Sequence, residues 1–410
     1  MNVASYIARR IAYKAGGGFS AFIVRLATTA TAISVAVMII AVSFVAGFQD
    51  AISKKVFSFW GNIRLLQQDP TISGMSEEVA AFKNDTIENI LRKHEAVAYA
   101  DIYASRSAML KSTETIEGIL LKGIEKDFTR ERLQPFLIKG EWIAFSDTGF
   151  SNQILISSYT AKQLNCDIGQ RLLIYFMDAV GDLPRVRPVV VRGIFKTGIE
   201  EYDKGFAICD IALIRKLNGW NDRQIGGYEV TLKDYRQDYA VSDALLDAIP
   251  VQWYSAPTRA IYPGIFDWLQ LQDINKQVIL SIMLLVALIN LISCLIILVL
   301  ERRSMIGILK AVGASDLTVQ QIFWRQGLIV AGRGIIIGAI LGISICLLQQ
   351  YTGFITLDEA NYFVRKAPVK IIPWQVLSIM GTSWIISFTV LLIPSLLVKK
   401  VSPVKVLRFD

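Results

Sequence analysis

The sequence predicts a membrane protein with four transmembrane helices and a large extracytoplasmic α+β domain inserted between helices 1 and 2. Three observations support this fold class. The 410 residues are 53% hydrophobic and only 19% charged, and the mean hydropathy is +0.44. Four apolar runs are long enough to cross a bilayer as helices, which takes about 20 residues each. A segment of mixed polarity, long enough to bury its own core, separates the first run from the second.

The apolar runs divide the chain into consecutive segments. They are a cytoplasmic interfacial helix (1–25), the first span (26–48), the extracytoplasmic domain (49–277), the second span (278–300), a cytoplasmic loop (301–327), the third span (328–348), a short outer loop (349–371), the fourth span (372–398) and a cytoplasmic tail (399–410). The first run is too long for a signal peptide, and Gly47-Phe48-Gln49 lacks the small-x-small cleavage pattern. We therefore expect a retained signal anchor.

The net charge of +8 follows this topology. Lys and Arg outnumber Asp and Glu in 1–25, 301–327 and 399–410, whereas acids and bases nearly balance elsewhere. An excess of Lys and Arg marks cytoplasmic segments, so both termini and the loop are predicted to face the cytoplasm. A surplus confined to these segments leaves no basic stripe for nucleic acid.

The extracytoplasmic segment mixes the periodicities of helix and strand. Strands are predicted at 153–157, 171–176, 188–195, 206–209 and 228–232. Helices are predicted at 77–93, 159–166, 210–217 and 240–248. A further stretch, 265–277, continues in helical register into the second span.

Candidate catalytic and metal-binding residues are sparse. The chain has one histidine, His94, and it contains no GxxxxGK[ST] motif for a nucleotide. Glu200, Glu201 and Asp203 do not supply a full oxygen shell for calcium. We predict no catalytic residue, no metal and no cofactor on this chain, so that any ATP and Mg would be bound by another subunit. Cys166 and Cys209 could pair in an oxidising compartment, but they lack a disulfide framework.

The cytoplasmic loop predicts a short amphipathic helix. Apolar residues recur there at helical spacing, at Met305, Ile308, Leu309 and Val312. Gly313 is placed to end the helix in a left-handed cap, and Ser315 or Asp316 can cap the next helix. Such a helix can anchor the loop among lipid headgroups, or it can be offered to a cytoplasmic partner.

This loop resembles a motif of the FtsX/MacB superfamily of permeases. The shared residues are Glu301-Arg302-Arg303, ILKAVGAS at 308–315, and Gln326-Gly327. In that superfamily the segment is a coupling helix that docks on an ABC-type ATPase. The resemblance therefore implies ATPase-coupling residues, namely Glu301, Arg302, Arg303, Ile306, Gly307, Lys310, Gly313, Ala314 and Ser315.

Further motifs resemble, within the superfamily, the lipoprotein-releasing permeases of the LolC/LolE type. GIFKTGIEEYD at 193–203 is similar to the family's "GIFSTGxxEYD". Gly47-Phe48-Gln49 is similar to the sequence that closes the family's first span, although Ala46 stands where Asn is usual. Tyr362-Phe363 and Pro368-Val369 match a pattern in the family's short outer loop.

The resemblance implies a permease that extracts lipoproteins from the bacterial inner membrane, driven mechanically by a separate ABC ATPase. Implied partners are a second permease copy or a homologous permease, lipoprotein cargo, a periplasmic lipoprotein carrier and membrane lipid. One face of the first span offers a possible cargo path, along Thr31, Val35, Ile39, Ser43 and Phe48. The family's carrier-recruiting hook corresponds to the shorter loop 177–187, whose candidate contacts are Val180, Gly181, Leu183 and Pro184.

Two features of the spans predict helix contacts. Gly334, Gly338 and Gly342 recur every four residues in the third span, which gives a ridge suited to close packing. Asn290 in the second span is expected to hydrogen-bond to a neighbouring helix.

Two alternative functions stay open. A MacB-like exporter would move another cargo, but this chain has no fused ATPase. An FtsX-like signalling permease would control a cell-wall hydrolase and move nothing, but its outer domain is usually smaller than residues 49–277.

Overall fold

The computed structural model describes residues 19–67, 80–146, 149–176 and 185–392. These residues form two compact units. The helical unit comprises residues 19–50, 268–357 and 366–392. The sheet unit comprises the described residues of 51–267 together with 358–365. Residues 1–18 of the predicted N-terminal helix and the predicted cytoplasmic tail lie outside the described residues, whereas residues 19–25 form the beginning of the first described helix.

The described helices are numbered along the chain. They are α1 (Phe19–Trp60), α2 (Asp85–Lys93), α3 (Ser158–Gln163), α4 (Glu200–Gly205), α5 (Ile211–Asn218), α6 (Asp238–Ala248), α7 (Thr258–Ile261), α8 (Pro263–Glu301), α9 (Arg303–Ala311), α10 (Asp316–Thr352), α11 (Glu359–Tyr362) and α12 (Pro373–Val390). The strands are β1 (Ile63–Gln67), β2 (Ala81–Phe82), β3 (Val97–Lys111), β4 (Ile116–Ile124), β5 (Leu137–Gly140), β6 (Gln153–Ser157), β7 (Arg171–Phe176), β8 (Arg185–Phe195), β9 (Phe206–Asp210), β10 (Gln224–Ile225), β11 (Gly227–Leu232) and β12 (Trp253–Pro257).

Three of the described helices are long and apolar enough to cross a membrane. They are α1 from Ala21 onwards, α8 and α10, with 40, 39 and 37 residues. Each exceeds the roughly 20 residues that a bilayer requires. Helix α8 begins at Pro263, so the helical register predicted for 265–277 is confirmed. The predicted fourth span continues to Val398, beyond the described residues, and its described helix α12 has 18 residues.

Apolar side chains from four helices form one core of the helical unit. This cluster joins α1, α8, α9 and α10 with the residue that follows α12, through Ile23, Val24, Ala27, Leu291, Cys294, Leu295, Leu298, Val299, Ile306, Val319, Phe323, Val330, Ala331 and Leu391. Asn290 Nδ2 donates to the carbonyl oxygen of Ala27 at 3.2 Å, which is the predicted bond to a neighbouring helix.

The sheet unit is built on a mixed sheet of ten described strands, as expected of an α+β domain. The strand order is β12-β1-β11-β3-β4-β9-β6-β8-β5, and β7 pairs with both β3 and β8. The pairs β4–β9 and β6–β8 are parallel. Strands β2 and β10 form a separate two-stranded sheet.

Most of the predicted outer elements are confirmed, and two helices are corrected. The strands predicted at 153–157 and 171–176 match β6 and β7. The helix predicted at 77–93 begins only at Asp85, because the Asn84 side chain accepts a hydrogen bond from Thr86 N at 2.9 Å and caps it there. The helix predicted at 159–166 ends at Gln163, since Asn165 adopts a left-handed φ of 48°. The thiols of Cys166 and Cys209 are both free.

Candidate functional site

The predicted coupling segment folds as α9, a turn and the start of α10. Gly313 follows α9 with a φ of +98°, a left-handed conformation that favours glycine, as predicted. Its N–H donates to the Lys310 carbonyl oxygen at 3.1 Å. Ser315 is the N-cap of α10, and its hydroxyl accepts from Thr318 N at 3.3 Å. The two helices are therefore joined by a short, defined turn.

The apolar stripe of α9 is divided between two faces. Met305 and Leu309 pack against the core of the helical unit, together with the fully buried Ile306. Ile308 and Val312, by contrast, are 52% and 83% exposed, and Leu317 at the start of α10 is 63% exposed. The predicted amphipathic helix therefore has apolar side chains on the face that packs against the core and also on the exposed face. Exposed apolar side chains on a polar loop make Ile308, Val312 and Leu317 candidates for a docking surface.

The polar residues predicted for coupling lie on the same segment and differ in exposure. Glu301, Arg303 and Ser315 are exposed, whereas Gly307 is buried. Lys310 Nζ forms an ion pair with Asp316 Oδ1 at 2.8 Å, and only 9% of the lysine side chain is exposed. Lys310 therefore ties α9 to the first turn of α10.

The glycine ridge of α10 faces α1. A Cβ atom at Gly338 would lie 2.4 Å from the Ala32 carbonyl oxygen and 2.9 Å from Val35 Cβ. At Gly334 it would meet Thr31 Cβ at 2.7 Å, and at Gly342 it would meet the Ala36 oxygen at 3.1 Å. Such approaches leave no room for a side chain, so only glycine lets the helices come this close.

The residues proposed as a cargo path lie within the helical unit. Thr31, Val35 and Ile39 are buried, since they face the glycine ridge. Ser43 is also buried, and its carbonyl oxygen accepts from Lys370 N at 3.0 Å. Phe48 packs edge-on against Trp268 with ring centroids 6.3 Å apart. In this arrangement the proposed path is filled by contacts of the same chain.

Two of the sequence motifs meet beside α1, near Gly47. A Cβ at Gly47 would lie 2.4 Å from the carbonyl oxygen of Pro368, so these two motif residues pack backbone to backbone. Gln49 Nε2 donates to Asp273 Oδ2 at 2.8 Å, which links α1 to α8. Lys370 Nζ binds Asp50 Oδ1 at 2.5 Å. The motif residues therefore connect α1 to α8 and to the segment that precedes α12.

The GIFKTGIEEYD signature forms a tight turn in the sheet unit. Asp203 Oδ1 accepts from the backbone and the hydroxyl of Thr197, both at 2.8 Å, and Oδ2 accepts from Gly198 N at 2.9 Å. Gly198 has a φ of +76°. Both carboxylate oxygens of Asp203 therefore hold this turn.

A buried ion cluster, which no motif of the sequence predicts, connects the sheet to the end of α1. Glu229 and Asp101 are directly opposite each other on β11 and β3. Arg132 bridges them, with Nη1 2.6 Å from Asp101 Oδ2 and Nη2 2.9 Å from Glu229 Oε2. Lys122 binds Glu229 Oε1 at 2.5 Å and donates to the carbonyl oxygen of Phe59 near the end of α1.

Burial is the largest cause of the shift in the pKa of Lys122. Lys122 and Glu229 are completely buried, and desolvation lowers the pKa of Lys122 to about 8, although Glu229 opposes the shift. The signal available in the sequence was a single Lys within the apolar strand ILLKGI and a single Glu within GYEVTL. The pairing itself depends on strand register.

The candidate carrier-binding residues Val180, Gly181, Leu183 and Pro184 lie outside the described residues.

Comparisons with known proteins relate both units to permeases. Residues 26–248, more than half of the chain, match the MacB-like periplasmic core domain, and residues 278–403 match the FtsX-like permease C-terminal family. The lipoprotein-releasing system transmembrane protein LolC of Neisseria meningitidis is 24% identical, with 98% of each chain covered. LolC of Xylella fastidiosa is 22% identical over 98% of this chain and 97% of the relative. LolE of Haemophilus influenzae is 22% identical over 94% of each chain.

Proposed function

Because this chain belongs to the MacB-like periplasmic core domain family and carries an FtsX-like permease region, we propose that it is a transmembrane permease subunit of an ABC transporter that extracts lipoproteins from the inner membrane for transfer to the outer membrane. The observation that carries the proposal is its similarity to lipoprotein-releasing transmembrane proteins over nearly the whole chain. Because this similarity includes both the helices and the outer domain, it supports the same kind of transporter and not only a domain in common.

A separate ATPase subunit binds ATP and Mg and docks on α9. The apolar surface of Ile308, Val312 and Leu317 supports this assignment, because it is exposed on a segment that the charge distribution assigns to the cytoplasm. Glu301 and Arg303 beside it supply charges for the rim of the interface.

The topology is multi-pass in the inner membrane, with both termini in the cytoplasm and residues 49–277 in the periplasm. Helix α12 begins the fourth span. Its 18 residues extend about 27 Å at 1.5 Å per residue, slightly less than the ≈ 30 Å hydrocarbon core. The continuation predicted to Val398 would complete the crossing.

The mechanism is mechanical. Closure of the ATPase dimer pushes α9, and the turn at Gly313 together with the Lys310–Asp316 ion pair passes the displacement to α10. The glycine ridge packs α10 directly on α1, so a displacement of α10 acts on this contact. A path over Thr31, Val35 and Ile39 opens only when α1 and α10 separate.

Lipid extraction sets the energetic demand on this movement. Exposing an acyl chain to water costs about 0.8 kcal/mol per CH₂. An enclosed apolar route is therefore required, and a second permease copy or a homologous permease completes it. A periplasmic carrier receives the released lipoprotein.

The proposal is tested by reconstituting the full chain with its ATPase and partner permease in proteoliposomes that contain a triacylated lipoprotein. We expect ATP-dependent release to a soluble carrier, and loss of release in Val312→Asp. Val251→Asp is the matched control, since Val251 is a fully exposed valine of the sheet unit. It should release lipoprotein normally.

The alternatives give different results in the same preparation. ATP-dependent movement of a peptide or drug without lipoprotein release would indicate a MacB-like exporter. Capture of a cell-wall hydrolase from native membranes, with no lipoprotein released, would indicate an FtsX-like signalling permease. Either result would overturn the extraction function.

A further inference from the structure

A cleft of about 320 Å³ runs along the first half of strand β3 in the sheet unit. Six consecutive residues of the strand, Val97–Ile102, line it. Leu91 of α2 contributes to one wall, and Phe128, in the segment after β4, contributes to the opposite wall. A row of consecutive strand residues along a cleft is typical of a strand edge, because only alternate residues point to one face of a sheet.

The pairing of β3 agrees with an open edge. Strand β11 pairs with β3 from Val97 to Tyr103. Strand β4, on the other side, pairs only from Tyr103 to Lys111, since the chain leaves the sheet after Ile124. Among the described strands, none pairs with Val97–Ile102 on that second side. Within the described part of the chain, the backbone groups of this half-strand that point away from β11 therefore have no strand partner.

Side-chain exposure supports the same conclusion. Tyr99 and Ala100 point to opposite faces of the strand, yet both are exposed, Tyr99 by 51%. A strand paired on both sides and packed on one face would show alternation. Two exposed neighbours indicate that solvent reaches the strand from its edge.

The two walls belong to different faces of the sheet. Ile102 and Tyr228 are directly opposite each other, so their side chains lie on the same face of the sheet. The Tyr228 hydroxyl accepts a hydrogen bond from Asn84 N, just before α2, so α2 covers this face. The next residue, Asp101, points to the other face and binds Arg132, whose guanidinium lies 5.2 Å from the Phe128 ring centroid. The cleft therefore lies beside the edge of β3, between α2 on one face of the sheet and the segment that contains Phe128 on the other face. An extended peptide fits such a slot as an additional strand.

We propose that this cleft, the β3 edge cleft, binds an extended polypeptide segment of the lipoprotein cargo by strand addition. The inference rests on the proposed function and deepens it. Strand addition uses main-chain hydrogen bonds, which do not depend on sequence, and this suits a permease whose cargo proteins share a lipid anchor. The charged residues that line the cleft are Lys83, Arg92, Glu88, Asp127, Asp101 and Glu125. Asp101 and Glu125 are paired with Arg132 and Arg215, and the other four include both signs, so the cleft does not select one cargo charge.

Photo-crosslinking in the assembled complex tests the proposal. We replace Tyr99 by a photoreactive phenylalanine and illuminate native membranes that contain the full chain, the ATPase and a triacylated lipoprotein. We expect a covalent adduct with the lipoprotein, mapped to its extended segment. The matched control is the same replacement at Tyr239 of α6, which is 50% exposed, and it should give at least tenfold less adduct.

A second variant examines the edge itself. Ala100→Lys places a charged side chain at the open edge, a device that blocks strand addition, and it should reduce the Tyr99 adduct at least fivefold. Ala240→Lys, on an exposed face of α6, should leave the adduct unchanged.

Adducts only with a second permease copy or with the carrier, or equal adducts at Tyr99 and Tyr239, would overturn the inference. If ATP-dependent release proceeds normally while Tyr99 captures no lipoprotein, the cleft assignment fails and the proposed function stands. Failure of release itself in the unmodified complex would count against the proposed function.

Discussion

The ammonium group of Lys55 donates a hydrogen bond of 2.7 Å to the backbone carbonyl oxygen of Phe363. Phe363 has a φ of 59°, a left-handed conformation that costs a residue with a side chain about 1–3 kcal/mol. Lys196 Nζ binds Glu359 Oε2 at 2.5 Å in the same place. A Cβ at Gly198 would lie 2.8 Å from Lys55 Nζ and 2.9 Å from Glu359 Oε1. The GIFKTGIEEYD motif and the segment that contains Phe363 therefore form one polar junction around Gly198, within the sheet unit.

Replacing Gly198 by alanine should disrupt this junction. The φ of +76° disfavours a side chain, and the new Cβ would also displace Lys55 and Glu359. We expect a loss of about 1–3 kcal/mol of unfolding free energy. The measurement is thermal unfolding of the purified full chain in detergent.

Gly205→Ala is the matched control for that substitution. Gly205 ends helix α4 in the same region, and a Cβ there would meet nothing within 4 Å. Its unfolding temperature should stay close to that of the unmodified protein. Equal losses in the two variants would show that Gly198 has no special role in the junction.

The glycine ridge gives a second prediction. Gly338→Ala would place a methyl group 2.4 Å from the Ala32 carbonyl oxygen, so α10 must move away from α1 at a cost of about 1–3 kcal/mol. Gly332→Ala on the same helix meets nothing within 4 Å. It should be neutral, or stabilise by up to about 1 kcal/mol through helix propensity. Thermal unfolding of both variants measures the difference, and unchanged stability of Gly338→Ala would contradict the close contact.

The buried ion cluster predicts a pH dependence. Burial lowers the pKa of Lys122 from 10.5 to about 8 in the folded protein. Between these values the unfolded chain binds more protons, so the lysine's contribution to unfolding free energy rises with pH, by at most about 1.4 kcal/mol per pH unit. Below pH 8 this contribution is constant. The unmodified protein should therefore gain stability relative to Lys122→Met as the pH increases from 8 to 10.5.

Denaturant unfolding at several pH values checks this expectation. Lys139→Met is the control, because the side chain of Lys139 is 55% exposed and its partner Asp167 is equally accessible. Its stability difference from the unmodified protein should not rise over the same interval. A flat difference for Lys122→Met would mean that the buried lysine keeps an ordinary pKa.

The sequence predicted the parts of this architecture that depend on local periodicity. The apolar runs of α1, α8 and α10, the cap at Gly313 and the ridge glycines all follow from spacing along one segment. The exposed positions of Ile308 and Val312 did not follow, because a stripe of apolar residues does not reveal which side meets the core. The Lys122–Glu229 pair and the Lys55–Phe363 bond join distant segments, so strand register and tertiary contacts decide them.

The last prediction concerns how Lys310 takes part in coupling. The Lys310→Glu substitution removes the 2.8 Å ion pair between Lys310 and Asp316. It places two carboxylates, which repel each other, between α9 and α10. We expect ATP hydrolysis to continue while lipoprotein release falls at least tenfold in the reconstituted complex. Because little of the Lys310 side chain is exposed, its role is to position α9, and the reversed pair Lys310→Glu with Asp316→Lys should restore most of the release. If the complex with the reversed pair releases no more lipoprotein than the complex with Lys310→Glu alone, Lys310 must act on the ATPase directly.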